Sequence, residues 1–455
     1  MFQDLPRYES YVPAGEWIPS VPESWGWEPA RTIFSERKET DHVDAQMLSV
    51  TIGRGVIRQA DLIAATAKKD SSNLDKSKYK LVVPGDLVYN KMRAWQGAAG
   101  GSEYLGIVSP AYIVMTPRSG LIEYFHHVVR TPMFAKEAER WSYGITSDQW
   151  SLRPEHFKMI RFPVPPRAEQ AAIVKYLTHA DARITKAIAA KRRLIALLKE
   201  ERAARRSNLL DGLGPWQRLG TVLWEGPTNG VSPEVSENGD LQTFSIAVVR
   251  DGIIDVRDSD VKYVDPSRVR DAGKYRLRHG DVLLVRGNGN INLVGRAGLV
   301  VDDMEDRIYP DLLMRMRFRS CVVPRFIVAV LNSPSVRQQI ENTARTAVGT
   351  YKLSGADVRS IRVPVPDLDV QHSIIHQLNQ IDSPHLEAVE KLRREIAILQ
   401  EFRTRLVSDV VTGQVDVRGV AATLPDMVEV GADAGDEDSP ELDEELVDGL
   451  EGADV

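Results

Sequence analysis

Two glycine-aspartate pairs, Gly85-Asp86 and Gly280-Asp281, each open an apolar, strand-like run. Each is followed five residues later by a cation, Lys91 in one case and Arg286 in the other. Both cations sit in polar loops that carry glycine: Asn90-Lys91-Met92-Arg93-Ala94-Trp95-Gln96-Gly97, and Arg286-Gly287-Asn288-Gly289-Asn290-Ile291-Asn292. Arginine can take guanine through two parallel hydrogen bonds, Asn or Gln can take adenine in the same way, and glycine lets backbone approach phosphate. These residue types therefore suit contact with the base edges and backbone of duplex DNA. The candidates are Arg54, Lys91, Arg93, Gln96 and Gln149 in the first half of the chain, and Arg286, Asn288, Asn290, Asn292, Tyr351 and Lys352 in the second. Either loop alone reads more simply as a solvated turn; their matched placement favours contact. The aspartates at 86 and 281 are expected to cap turns, not to catalyse.

Other chemistry lacks its residues. There is no Gly-x-x-x-x-Gly-Lys-Ser/Thr phosphate loop, and the glycines from 287 to 295 lack the spacing of a dinucleotide loop. Val164-Pro165-Pro166-Arg167 is the nearest approach to the Asn/Asp-Pro-Pro-Tyr/Phe of amino-methyltransferases, and it has no side chain to hold an exocyclic amine. His126 and His127 are adjacent, so on a helix they point to different faces and make a poor metal site. Cys321, the only cysteine, excludes an intramolecular disulfide and fits a reducing cytoplasm. Its apolar neighbours Val322 and Val323 predict a buried thiol. No apolar run approaches the roughly 20 residues needed to span a bilayer, and residues 1–10 do not read as a signal peptide.

The elements that must position the loops come from a duplication. At an offset of 201 residues, Pro163-Val164-Pro165 recurs as Pro364-Val365-Pro366, and Gln170, Ile173, Leu177, Asp181, Leu198, Arg202 and Gly212 recur as Gln371, Ile374, Leu378, Asp382, Leu399, Arg403 and Gly413. Upstream the match loosens: Trp27 answers to Trp216, and Gly85-Asp86 to Gly280-Asp281. Each copy thus has a variable, mixed α and β first part and a constant helical last part. In the constant parts, segments 167–178 and 368–380 read as short amphipathic helices. Asp181 and Asp382 read as N-caps of longer helices, with Pro384 in a first turn and Gly212 and Gly413 as C-caps. Ile184, Ile188, Ile195 and Leu198 in one helix, and Leu392, Ile396, Leu399 and Leu406 in the other, recur at three-four spacing and predict a coiled-coil seam. About 28 residues at 1.5 Å per residue make a rod of roughly 42 Å. Residues 167–209 carry 11 basic and 4 acidic residues, residues 368–410 carry 5 and 7, so the helices are expected to pair with each other, antiparallel.

The formal charge of −6 hides an uneven distribution. Residues 421–455 hold 13 Asp or Glu and no Lys or Arg, which leaves 58 basic against 51 acidic residues elsewhere. The acidic end has too little apolar content to fold and reads as a solubilising, disordered tail; competition with DNA for basic surface is its functional alternative.

Taken in order, Pro163-Val164-Pro165-Pro166, Glu169-Gln170, Ile173 and Leu177, the closing Val411-Thr412-Gly413, the lead-in Glu16-Trp17-Ile18-Pro19 and the duplication itself resemble the specificity subunit of type I restriction-modification systems, over about residues 8–418. The second copy departs, with Asp367 in place of the second proline of the pair and Val370 in place of the glutamate. The resemblance implies an α+β architecture: target-recognition domains at 1–162 and 214–363, helical regions at 163–213 and 364–418 forming an antiparallel coiled coil, and a tail at 419–455. It implies a non-catalytic subunit for phage defence. Each recognition domain would read half of a gapped, two-part site on double-stranded DNA, and the helices would set the gap and dock two modification (methyltransferase) and two restriction subunits. S-adenosylmethionine, ATP and Mg would belong to those partners. A component of a type IIB-like system, an enzyme with unrecognised motifs, and a coiled-coil scaffold that never meets DNA remain alternatives at this point.

Overall fold

The computed structural model describes residues 5–66, 75–144, 150–236, 239–347 and 349–426. The chain is α+β and divides into two compact units, one of residues 1–192 and 393–455, the other of residues 193–392.

In the first unit a four-stranded antiparallel sheet has the order Phe34–Arg37, Tyr112–Pro117, Leu87–Asn90, Ala99–Gly101. Helices Ile122–Val129 and Pro132–Arg140 follow it in sequence. Gly26–Pro29 pairs antiparallel with Arg161–Val164, placing Trp27 opposite Pro163. The core joins Phe34, Tyr89, Phe125, Phe134, Phe157 and Phe162 to Ile173, Tyr176 and Leu177, and to Leu406, Val410 and Val417. The lead-in and the closing segment meet here. Tyr11 Oη donates to the Gly413 carbonyl at 3.1 Å, and the Asp416 amide donates to the Pro6 carbonyl at 2.7 Å.

The second unit repeats the plan and enlarges it. Its sheet runs Leu223–Asn229, Leu313–Phe318, Val282–Val285, Ala297–Leu299, the same order as in the first unit, then adds Ile253–Ile254 and Val249–Arg250. Helices Pro324–Leu331 and Pro334–Thr343 follow, and Trp216–Arg218 pairs with Arg362–Pro364 with Trp216 opposite Pro364. A further four-stranded sheet, Val261–Val264, Leu241–Phe244, Met304–Ile308, Arg276–Leu277, answers to smaller pairings in the first unit: the hairpin Leu48–Thr51/Gly55–Arg58, the parallel bridge from Met47 to Ile107, and Gly106–Val108 paired with Lys80–Val82.

The constant parts are single helices, not the interrupted ones predicted. One runs from Arg167 to Asp211, the other from Leu368 to Val411 with Pro384 inside it. Asp181 and Asp382 are therefore mid-helix residues and cap nothing. Proline at 384 removes one backbone donor, and the His385 ring Nδ1 lies 2.7 Å from the Ile381 carbonyl one turn back. Within each unit the two helices run antiparallel. In the first, Asp181 meets Arg403 and Lys191 meets Glu395; in the second, Arg202 meets Asp382 and Glu201 meets His385. The predicted seam divides by depth. Ile184, Ile188 and Leu406 are buried, whereas Ile195, Leu198, Leu392, Ile396 and Leu399 are half-buried.

Two further expectations change. Cys321 is exposed, because it lies in the turn before the helix at Pro324 and offers its carbonyl, not its thiol, to the interior. The tail begins later than 419: Arg418–Thr423 is helical and Ala421 is buried in the first unit. Residues 427–455, where the rest of the predicted tail falls, lie outside the described residues. Among the described residues no helix is long and apolar enough to cross a membrane.

Candidate nucleic-acid interface

Strand Leu87–Asn90 is anchored by the aspartate before it. Asp86 is fully buried, accepts from the Val83 amide at 2.9 Å, and takes Arg37 and the Thr116 hydroxyl. In the second unit Asp281 accepts from the Arg278 amide at 3.0 Å and from Arg317 Nε at 2.6 Å. Both are structural carboxylates closing a turn, as expected. Each finds its arginine on a different strand: Phe34–Arg37 in one unit, Leu313–Phe318 in the other. In the second unit Glu225 joins the set, bridging Arg315 and Arg317. Burial opposes its ionisation, but the two guanidiniums outweigh this and hold its carboxyl below the usual range.

At the far end of each strand the backbone is held in one pattern. The Lys91 amide donates to the Ala111 carbonyl at 3.1 Å, and the Leu152 amide donates to the Lys91 carbonyl at 2.8 Å. The Arg286 amide donates to the Leu312 carbonyl at 2.7 Å, and the Leu353 amide to the Arg286 carbonyl at 2.9 Å. So the two loops singled out in the sequence are equivalent in space, and each is fastened to the segment that leads into its long helix.

The structure brings several candidates together. In the second unit Gly287-Asn288 pairs as a short strand with Tyr351-Lys352, Asn288 opposite Tyr351. Asn288 Oδ1 accepts from the Asn290 amide at 2.8 Å, and Asn290 Oδ1 accepts from the Asn292 amide at 2.9 Å. Two successive Asx turns thus stiffen the loop and spend the amide oxygens of Asn288 and Asn290 on backbone, leaving their NH2 groups as the donors to offer. Asn290, Asn292 and Lys352 are exposed and Arg286 is half-buried. In the first unit Arg93 and Gln96 bracket a 3-10 turn, Ala94–Gln96, which ends on Gly97 with φ of 94°. Trp95 donates to the Met92 carbonyl at 2.9 Å and meets Trp150 edge-on at 5.4 Å. Arg54 is exposed at the tip of the hairpin Leu48–Thr51/Gly55–Arg58, and Arg130 ties that tip to the sheet by bonding both the Gly53 and the Ala99 carbonyls, Ala99 lying opposite Tyr89 near the Lys91 end of its strand. Gln149 lies outside the described residues.

Sequence reasoning passed over two concave surfaces beside these loops. In the first unit Glu36, Lys80, Lys91, Tyr143, Arg153 and Glu155 line a hollow of about 630 Å³. Lys80 donates to the Tyr112 carbonyl at 2.7 Å, and burial lowers its pKa. In the second unit a cleft of about 770 Å³ runs from Asn292 past Arg296, Arg325 and Arg337 to Arg202 and Asp382. Its arginines are scattered through the chain, so no window of sequence displays them. Only Arg296, immediately before a strand and four residues after Asn292, could have been found by extending the loop.

No protein-family model matches the chain. It is 24% identical over 342 residues, 71% of each chain, to the type I restriction enzyme EcoKI specificity subunit of Escherichia coli (strain K12). It is 22% identical over 289 residues, 59% of this chain and 60% of the other, to the StySPI specificity subunit of Salmonella potsdam. Its fold matches, with a TM-score of 0.64 and 17% identity, a chain from a solved structure concerned with complex assembly and conformational transition of the type I restriction-modification system; the match covers 87% of this chain and 99% of that one. By sequence over most of its length, and by fold, the chain is a relative of the specificity subunits of type I restriction-modification systems.

Proposed function

We propose that this chain is the DNA sequence-recognition subunit of a type I restriction-modification complex and carries no catalytic site. One observation carries the reading furthest. Two sheets of the same strand order present loops fastened by the same backbone bonds, at Lys91 and Leu152 and at Arg286 and Leu353, but with different side chains. A repeated scaffold with unlike polar loops suits an asymmetric site read in two parts, one part per unit. The tethers to the long helices make those helices the natural spacer between the parts. Modification subunits, two per chain, would dock on the helices and bring S-adenosylmethionine; two restriction subunits would bring ATP- and Mg-dependent cleavage, all in the cytoplasm.

The test is to map methylated bases in the host genome with and without this gene. Loss of a gapped, two-part methyladenine motif on deletion establishes the reading and gives the motif. An unchanged methylation pattern in a host whose modification subunit is expressed and bound to this chain overturns it.

A further inference from the structure

The first long helix is cationic where it passes through the first unit. Residues 167–192 hold six Lys or Arg and two carboxylates. Both carboxylates are taken from within. Glu169 is buried and accepts from Tyr8 Oη at 2.5 Å and Trp25 Nε1 at 2.9 Å, while Asp181 pairs with Arg403 at 2.5 Å. Arg183 and Lys186 are exposed, and Lys175 and Lys191 are partly so, Lys191 being shared with Glu395 of the second long helix at 2.6 Å. After the short helix Arg418–Thr423 the chain is laid directly on this helix. The Pro425 carbonyl sits 2.8 Å from His179 Nε2, and Asp426 Oδ1 2.7 Å from Lys175 Nζ. Asp426 is itself 97% exposed, so the pair adds little stability. What it does is fix where the remaining 29 residues start.

Those residues, 427–455, carry twelve Asp or Glu and no Lys, Arg or His. Lys186 lies eleven residues along the helix from Lys175, about 16 Å at the rise of an α-helix. A chain of this length can extend to at most about 100 Å, so every cation of the stretch is within reach. Tethering at one end raises the local concentration of carboxylate to the order of millimolar, without any affinity of its own.

We propose that the stretch of helix from Lys175 to Lys191 is a polyanion-docking surface whose resident occupant is the chain's own acidic segment, residues 427–455. That segment holds the face against nucleic-acid phosphate and releases it only to a more highly charged competitor. The competition rests on the DNA-reading function; the docking does not.

Zero-length coupling of carboxylates to amines on the intact chain, mapped by mass spectrometry, tests the docking. Crosslinks from Glu429–Asp454 to Lys175, Lys186 and Lys191 within one chain, lost at about 1 M salt, are expected. Crosslinks reaching Lys38 or Lys352 as often as these three overturn it. Binding of a random-sequence duplex then tests the competition. A full-length variant with the twelve carboxylates changed to amides is expected to bind about 5- to 10-fold tighter near 0.1 M salt, an advantage that Lys186→Glu reduces. Equal binding of variant and parent overturns the competition. If neither binds any duplex even with modification subunits present, the DNA-reading function fails while the crosslinking result stands.

Discussion

Asp181 and Asp382 occupy equivalent places in the two copies of the repeat, and each pairs with the arginine of the other copy: Asp181 with Arg403, Asp382 with Arg202. The exchange is the signature of pseudo-twofold pairing, in which residue i of one copy meets residue j of the other and the reverse. It is not energetically even. Asp382 and Arg202 are 21% and 23% exposed and Arg206 joins them, whereas Asp181 and Arg403 are 45% and 41% exposed. Burial opposes ionisation of Asp382, and the two arginines more than offset it, so its carboxyl stays below the usual range. Asp382→Ala is expected to cost about 1–3 kcal/mol because it strands two half-buried cations, and Asp181→Ala less than about 1 kcal/mol. Urea unfolding of both variants checks the order; equal losses would refute it.

Gln170 and Gln371 are buried and share two bonds in the two units, to which Gln371 adds a third. Gln170 accepts from the Leu121 amide at 2.8 Å and donates to the Pro165 carbonyl at 2.8 Å; Gln371 accepts from the Val323 amide at 2.9 Å and donates to the Pro366 and Cys321 carbonyls. Each fastens the start of a long helix to the start of the helix after the sheet. Gln→Ala at either site leaves buried backbone groups unpaired and is expected to cost about 2–3 kcal/mol. Hydrogen exchange should localise the weakening to residues 121–129 for Gln170→Ala and 323–331 for Gln371→Ala.

Arg286→Ala is expected to relax reading of one half-site and leave the other intact, with a loss of about 1–3 kcal/mol if the guanidinium meets a base edge. Lys91→Ala is expected to act on the other half-site. Competition binding against site variants, with the modification subunits present, makes the comparison. A uniform loss for all sequences, with a shallower salt slope, would assign the residue to phosphate instead.

Adding one helical turn at the same place in both long helices is expected to lengthen the tolerated gap in the DNA motif without changing its two halves. The methylated motif reads this out directly, and an unaltered gap would sink the spacer role.

Burial pushes His126 down to about 4 and His127 to about 3, with Arg130 adding repulsion to both. The unfolded chain takes up protons at these sites below about pH 6.5, while the folded unit does not until pH falls much further. Stability is thus complete above pH 6.5 and drains as pH falls toward 4. His126→Gln/His127→Gln should remove part of this loss, since the titrating carboxylates are common to both proteins. A parallel pH dependence in parent and variant, followed by denaturant midpoints between pH 7 and 4.5, would exclude the histidines.

Much of this arrangement was legible in the residues themselves, because a duplication compares a sequence with itself. Gly85-Asp86 and Gly280-Asp281 announced equivalent turns, and Gln170 and Gln371 equivalent positions, though not the clamp each makes. The helix breaks predicted at Asp181 and Asp382 failed because capping preference is local, and the cross-helix arginines that recruit these carboxylates are about 180 to 220 residues away in sequence. Cys321 misled in the same way: apolar neighbours were read as a buried run, but they turn inward beneath it. The pairing of Asn288 with Tyr351 and the arginine-lined cleft of the second unit had no signal, since a sheet edge and a concave wall are assembled from distant segments.

The interlock of Tyr11 with Gly413 and Pro6 with Asp416 sets an order of events at the ribosome. Residues 193–392 form a unit from uninterrupted chain, which can condense as soon as it emerges. The other unit is split around it: its sheet is made before residues 193–392, but Leu406, Val410 and Val417 arrive only after them. During that interval the aromatic cluster around Phe34 and Phe162 lacks its last wall. A chain cut short before Leu406 therefore leaves apolar surface uncovered around Phe34 and Phe162, at the end opposite to the cut in sequence.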